Sequence, residues 1–156
     1  MAKVCKNSQE LYNELMKTIN KSLKDDVAPI VKKVMLDRID EEVYRKYEPS
    51  YYMRRGKDGG LADPDNIVSE IVYDGCLSVT NETLGREFYF YEGEPVRSDN
   101  ADKPIAEIIE TGEGYDYWEG AFPRPFMQST VDKLKETDLV EIVLKKSLEM
   151  KGLEVK

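Results

Sequence analysis

The stretch of this sequence best suited to bind a ligand is residues 51–67, YYMRRGKDGGLADPDNI, where arginines run into glycines and acids. Arginines beside a glycine-rich loop can cradle phosphate, and clustered aspartates can hold calcium. The phosphate pattern G-x-x-x-x-G-K-S/T is missing, because Lys57 precedes the glycine pair Gly59 and Gly60. The calcium-loop pattern also fails, because its spaced Asp/Asn ligands and closing glutamate are missing. The spacing therefore predicts neither a phosphate site nor a metal site.

Histidine is absent from the chain, which removes most of the common catalytic arrangements. A Ser-His-Asp triad, a Cys-His pair and a His-ligated zinc site are all excluded. Pairs of carboxylates remain available among the 31 acidic residues, but no short motif distinguishes one pair. We therefore expect no enzyme activity, no catalytic residues, no cofactor and no metal. A hydrolase that uses two carboxylates stays as the less favoured alternative.

The chain has the length of one domain, and we expect a single domain over residues 1–156 with disordered tails at 1–7 and 152–156. No stretch is long and apolar enough to span a membrane, and the first residues lack the apolar segment of a signal peptide. Two cysteines, Cys5 and Cys76, are too few for a disulfide framework. These features predict a protein made in the cytoplasm with reduced thiols and no membrane partner.

The net charge of −8 is unevenly spread along the chain. Residues 1–57 hold 13 basic and 9 acidic residues, a net charge of +4, whereas residues 58–156 hold 10 basic and 22 acidic residues, a net charge of −12. The overall charge argues against a protein that wraps nucleic acid. One interpretation is a chance imbalance on solvated faces, and the other is two complementary surfaces that meet head to tail in a ring.

Hydrophobic periodicity predicts helices at both ends of the chain. Apolar residues recur every four positions from Leu11 to Val27, and Ser8 is a possible N-cap. Pro29 predicts a kink or a restart capped by Asp25 or Asp26, followed by helix to about residue 47. A short helix is expected after Pro104, closed by Gly112, and a single final helix is expected from about residue 125 to residue 152.

The middle of the chain, residues 67–97, reads as strands. Alternating segments at 67–73 and 76–80 flank the turn signal Asp74-Gly75, and the aromatic segment 88–91 ends at Gly93 and Pro95. Strands without intervening helices predict antiparallel pairing. The expected fold class is α+β, in which a long kinked N-terminal helix and a C-terminal helix pack on a small antiparallel sheet of about three to four strands, with long loops.

Two loops concentrate tyrosine, tryptophan and arginine, the residue types enriched at protein–protein hot spots. The first surrounds Arg54 and Arg55, and the second, residues 113–124, ends at Arg124. Two interpretations stay open, because these aromatics can complete a thin core or contact a partner, and one ring can do both.

The order of these elements resembles virion proteins of tailed phages of Firmicutes, in the tail-completion or head–tail joining class of neck proteins. The resemblance spans roughly residues 8–150. It is carried by a Tyr-x-Pro-x-x-Tyr-x-Arg-Arg element before Gly-Gly-Leu, by a Glu-x-Gly-x-Gly-Tyr-Asp-like element, and by Pro-Arg-Pro-Phe before the last helix. The matching residues are Tyr47, Pro49, Tyr52, Arg54, Arg55, Gly59, Gly60, Leu61, Glu110, Gly112, Gly114, Tyr115, Asp116 and Pro123 to Phe126.

The resemblance implies an α+β subunit of the virion neck that assembles into a ring, a hexamer or a dodecamer, without catalytic residues. Its expected partners are copies of itself and the adjacent connector, stopper or tail terminator, with DNA only as cargo that passes through the channel. The charge split adds the hypothesis that the acidic C-terminal two-thirds of the chain line that channel, where repulsion lets DNA slide without sticking. The expected contact residues are Tyr47, Tyr51, Tyr52, Arg54, Arg55, Gly59, Gly60, Leu61, Asn66, Tyr115, Tyr117, Trp118, Arg124 and Phe126. The alternative from another class is a small acidic phage-encoded inhibitor that binds a host protein.

Overall fold

The computed structural model describes residues 6–46, 48, 54–85, 88–91, 94–97, 102–113 and 122–155. It confirms the α+β class. The helices are α1 (Ser8–Ser22), α2 (Ala28–Arg38), α3 (Ile105–Thr111), α4 (Phe126–Thr137) and α5 (Leu139–Met150), and the strands are β1 (Ile67–Tyr73), β2 (Cys76–Asn81), β3 (Phe88–Tyr91) and β4 (Glu94–Arg97).

The N-terminal helices form one continuous helical run, and its irregularities are π turns. The turn at Leu23–Val27 lies between α1 and α2, and a second, Ile39–Tyr44, follows α2. Pro29 has no N–H to donate, and its ring crowds the preceding turn of helix. The chain has a wider π turn before Pro29, whereas the sequence predicted a kink or a new helix capped by Asp25 or Asp26. The cap at the start of α1 is Asn7 instead of Ser8, because the Asn7 side chain accepts a hydrogen bond from the Glu10 N–H at 2.8 Å.

The predicted strand segments and their antiparallel pairing are confirmed, but the prediction of one sheet of three to four strands is wrong. β1 pairs antiparallel with β2 through the Asp74-Gly75 turn, and β3 pairs with β4. Within the described parts of the chain these are two separate two-stranded sheets, not one sheet of three to four strands. Alternation identifies a strand, but it carries no information about which other strand satisfies its backbone hydrogen bonds.

The core lies where the second half of the helical run meets α3, α4 and the start of β1. Its buried residues are Met35, Ile39, Val43, Leu61, Ile67, Ala106, Ile109 and Phe126. The apolar stripe predicted from Leu11 to Val27 is only partly covered, because Leu23 and Val27 in the first π turn are buried whereas Leu11 in α1 is 59% exposed. The segment predicted as a single final helix is two helices, because Asp138 takes a left-handed conformation with φ of 50° and turns the chain between α4 and α5.

Candidate subunit-contact site

The described part of the first loop, residues 54–66, is held together by the carboxylate of Asp63. Its two oxygens accept hydrogen bonds from the backbone N–H of Gly59 at 2.7 Å and of Asp65 at 3.0 Å. Asp63 is therefore committed to the loop itself. Within the ranges that the structure describes, no group of three or more Cys, Asp or Glu side chains is placed to hold a metal ion.

The glycine pair of this loop has two different structural roles. Gly59 has φ of +73°, which L-amino acids with a side chain rarely adopt. Gly60 has no such φ, but a Cβ at its position would lie 2.6 Å from the backbone oxygen of Gly56. The glycines are thus required by backbone conformation and by close backbone approach, which are demands of the loop itself.

Two buried polar side chains at the end of β2 fasten the loop to the sheet. Asn81 donates to the Leu61 carbonyl at 2.9 Å, and the Thr83 hydroxyl donates toward the Gly60 carbonyl at 3.2 Å. Thr83 is 1% exposed and also lies 2.6 Å from the Asn81 side-chain oxygen. These residues escaped the sequence prediction, because a polar residue at a strand end usually indicates a turn exposed to solvent.

Arg54 is fixed against Tyr44, at the end of the second π turn. Its guanidinium carbon lies 5.0 Å from the centre of the Tyr44 ring, and its Nη1 donates to the Tyr44 carbonyl at 2.9 Å. The Tyr44 hydroxyl accepts a hydrogen bond from the Ala62 N–H at 3.2 Å. Burial raises the pKa of Tyr44 above its usual value, against the opposing effects of the Ala62 N–H and Arg54. Tyr44 thus stays neutral and joins the arginine to the far side of the loop.

Three arginines converge on a cleft of about 100 Å³. Arg54 and Arg55 come from the first loop, and Arg124 comes from the segment before α4. Arg55 donates to the carbonyl of Leu84, and Arg124 is only 8% exposed. The other residues around the cleft are Val43, Tyr44, Gly56, Gly60, Leu61, Thr83, Ile105 and Ile109. The predicted contact residues Arg54, Arg55 and Arg124 are therefore neighbours in space, although they lie in two different loops.

Two residues of the Glu-x-Gly-x-Gly-Tyr-Asp-like element, at the end of α3, pack against the segment that leads into α4. The Glu110 carboxylate accepts hydrogen bonds from the N–H groups of Met127 at 2.7 Å and Gln128 at 2.9 Å, so it caps the helix from α3. Gly112 has φ of +74°, and a Cβ there would lie 2.7 Å from the Pro123 nitrogen. These two positions of the second motif are explained by packing between α3 and α4.

The predicted contact residues occupy two different environments. Leu61 and Phe126 are 5% and 0% exposed and lie in the core, and of the two only Leu61 also lines the arginine cleft. Asn66 is half-buried and donates to the Gly60 carbonyl at 2.9 Å. The remaining predicted positions lie outside the described residues, and their role as contacts stays a prediction: Tyr47, Tyr51, Tyr52, Tyr115, Tyr117 and Trp118.

A second polar cluster lies at the first π turn, away from these loops. Lys151 Nζ is 2.7 Å from Asp26 Oδ2, 2.6 Å from Ser147 Oγ and 2.9 Å from Ser22 Oγ. A lysine beside serines can activate a nucleophile, but this lysine is held in an ion pair and both serines are buried, at 2% exposure or less. The cluster therefore joins the π turn to the end of α5. The Asp26 side chain takes part in this contact, whereas the sequence predicted that Asp25 or Asp26 would cap a restarted helix.

The comparisons with known proteins agree on one family. The model of the YomN family matches residues 7–150 of the chain. The SPbeta prophage-derived uncharacterized protein YomN of Bacillus subtilis (strain 168) is 31% identical over 159 aligned residues, which cover 98% of both chains. No solved structure matches the chain. None of the helices in the described ranges is long and apolar enough to cross a membrane.

Proposed function

Because this chain belongs to the YomN family, we propose that it is a phage-encoded structural protein of the virion. The similar protein of B. subtilis is prophage-derived by name, and that origin supports a phage source for this chain. The finer proposal is a ring-forming neck subunit of the tail-completion or head–tail joining class, as the resemblance of the three motif elements implies. It acts by assembly, in which many weak contacts between copies become stable through simultaneous engagement. No catalytic residue and no cofactor are assigned to it.

The observation that carries the contact role is the internally hydrogen-bonded, arginine-bearing loop of residues 54–66. Asp63, Asn81 and Thr83 hold its backbone from within, and Tyr44 fixes the direction of Arg54. A loop prepared in this way loses little conformational freedom when a partner binds, so more of the contact energy contributes to affinity. Arginine and tyrosine are also the side chains that contribute most at hot spots.

Mass spectrometry of purified virions tests the virion proposal. We expect the chain to be present in the particles in a stoichiometric amount that matches a ring. The acidic-inhibitor alternative predicts a tight complex with one host protein and no copies in the particle. Absence from purified virions would therefore end the structural proposal.

The contact role of the loop is tested by the double substitution Arg54→Ala with Arg55→Ala. We expect heads and tails that fail to join, with an isolated subunit that keeps its circular dichroism spectrum. Lys57→Ala is the matched control, because Lys57 is an exposed cation of the same loop that does not line the arginine cleft. Normal infectious particles from the double variant would refute the contact role of the two arginines.

A further inference from the structure

The four strands that the structure describes differ in how well their outer edges are protected against pairing with another molecule. Each of the two sheets has two strands in this part of the chain, so every strand has one edge without a neighbouring strand. An unpaired edge is a template for an added strand, and natural proteins protect such edges with charged residues, proline or a bulge. The presence or absence of these features therefore indicates which edges are suited to a contact.

β1 and β4 carry such protective features. β1 contains the exposed Glu70 and a register irregularity between Ile71 and Tyr73. β4 contains Pro95, which has no N–H to donate, and has a glutamate and an arginine at its ends. Because charge, irregular register and proline each oppose the addition of a strand, these two edges are poorly suited to a contact between backbones.

β2 and β3 carry none of these features. Their sequences are CLSVTN and FYFY, so neither strand contains a charged residue, a proline or a glycine. β3 is wholly aromatic and β2 includes β-branched residues, and both kinds of residue favour strands. Uncharged segments of this kind pair readily with another strand when they lie at an open edge.

The outer edge of β2 has backbone groups that are available for pairing. The Glu82 N–H donates to the Asn66 carbonyl at 2.8 Å, and this bond sets the alternation of hydrogen bonds along the β1–β2 ladder. By that alternation Leu77 and Val79 direct their N–H and C=O groups away from β1. Within the described ranges neither residue forms a backbone hydrogen bond outside the ladder. An added strand would satisfy these groups.

The backbone of β3 also presents a donor at its outer edge. Phe90 lies directly opposite Pro95 in the β3–β4 ladder. Proline in a sheet is found where its missing N–H would face away from the partner strand. Directly opposite residues of an antiparallel pair share this orientation, so the Phe90 N–H points to the outer edge of β3.

The chain that follows β2 is bound elsewhere and does not bring β3 alongside it. The Thr83 hydroxyl donates toward the Gly60 carbonyl at 3.2 Å, and the Thr83 carbonyl accepts from the Ile105 N–H at 2.9 Å. The Gly85 N–H donates to the Lys103 carbonyl at 2.9 Å. These bonds lead the chain from β2 toward the start of α3. Consecutive strands usually pair, but in the described part of this chain β2 and β3 do not.

We propose that β2 of one copy of the chain pairs with β3 of a neighbouring copy, so that a sheet of four strands forms between two chains. The inference rests on the proposed assembly of copies and names the contact that joins them. The second copy is the partner because the chain itself supplies both unprotected edges. Two-stranded sheets are marginally stable alone, whereas four strands are a common sheet size. A contact between two different edges is head to tail, the kind that closes into a ring.

Hydrogen exchange of the purified chain, resolved to single amides over a range of protein concentrations, tests the β2 edge. We expect the Leu77 and Val79 amides to exchange slowly at high concentration, where copies associate, and fast at low concentration. Ser78 is the internal control, because its N–H bonds to β1 and should exchange slowly throughout. Slow exchange of Leu77 and Val79 in the dilute monomer would overturn the proposal, since the edge would then be paired within one chain. A chain that stays monomeric at every concentration would overturn the second copy as the partner.

Substitutions that protect one edge at a time test the two strands. Phe90→Pro removes the outward N–H of β3 and should weaken self-association by about tenfold in sedimentation velocity, the factor that corresponds to one lost hydrogen bond. Thr80→Lys gives the exposed face of β2 a charge of the kind that protects natural edges, and it should weaken self-association as well. Val72→Lys is the matched control, because it adds the same charge to an exposed position of β1. An equal loss in the two lysine variants would show that only net charge matters and would refute the β2 edge.

A mixture of Thr80→Lys and Phe90→Pro separates a head-to-tail contact from a symmetric one. The first variant keeps the β3 edge and the second keeps the β2 edge. We therefore expect one-to-one dimers in the mixture at a concentration where each variant alone is monomeric. Dimers of either variant alone would overturn the proposal in favour of pairing between identical edges. A mixture that forms no dimers, although both variants keep their circular dichroism spectra, would refute the β2–β3 contact. The composition of the virion decides the neck proposal separately, so failure of the one is distinguishable from failure of the other.

Discussion

The contact between Gly112 and Pro123 gives the sharpest test of how the structure uses its motif glycines. In Gly112→Ala the new side chain must adopt φ near +74°, which costs about 1–2 kcal/mol for a residue with a Cβ. The same Cβ lies 2.7 Å from the Pro123 nitrogen and 3.0 Å from the Phe122 carbonyl carbon, both backbone atoms. Displacing packed backbone costs about 1–3 kcal/mol more. We expect a total loss of about 2–5 kcal/mol in the free energy of unfolding.

Gly75→Ala is the matched control for this substitution. Gly75 has φ of +79°, yet nothing lies within 4 Å of the Cβ that alanine would add. It should therefore lose only the conformational part, about 1–2 kcal/mol, so the difference between the two variants measures the close approach to Pro123. Urea unfolding followed by circular dichroism at the helical band gives both values. Equal destabilisation of the two variants would refute the packing argument for Gly112.

Three further predictions concern the loop, the helix cap and acid stability. Gly60→Ala should cost about 1–3 kcal/mol in urea unfolding, because its Cβ meets the Gly56 backbone, whereas Gly59→Ala should show only a conformational cost. Glu110→Ala should cost about 1 kcal/mol in the same assay through the lost cap of α4, and an unchanged value would contradict that role. The hydrogen bond from Lys151, and after it the one from Ser147, lowers the pKa of Asp26 below its usual value of 3.8. The ionised Asp26 therefore stabilises the folded state fully above pH 3.8, and this contribution is lost as the pH falls through the lowered pKa. In Asp26→Asn the free energy of unfolding should fall less at acid pH than in the unsubstituted chain. The same pH dependence in both proteins would refute the contribution of Asp26.

The local elements of the fold were predictable because their signals are local. The alternation of residues 67–73, the Asp74-Gly75 turn and the left-handed Gly112 at the end of α3 are all confirmed. Each depends on side-chain period or backbone conformation over a few residues, and the sequence displays both directly. The irregular π turns were not predictable, because they depend on a one-residue change in hydrogen-bond register that leaves the apolar pattern almost intact.

The arrangement of the elements was decided by contacts between distant residues. Whether β3 joins β1 and β2 depends on which backbone edges meet, and Asp26 leaves its expected capping role because Lys151 and Ser147 lie beside it in the fold. The burial of Phe126 likewise follows from the packing of α4 against α2 and α3. Its aromatic type alone fits the core and a contact surface equally well.

The sequence by itself determined the α+β class, the lack of histidine chemistry and the failure of the phosphate and calcium patterns. It also identified two loops rich in arginine and aromatic residues. Only the tertiary structure brought Arg124 to the same cleft as Arg54 and Arg55, and only it showed that Leu61 and Phe126 are buried in the core. The physical reason is that charge and residue type are properties of the chain. Convergence and burial arise only when separate segments pack together and exclude water from the space between them.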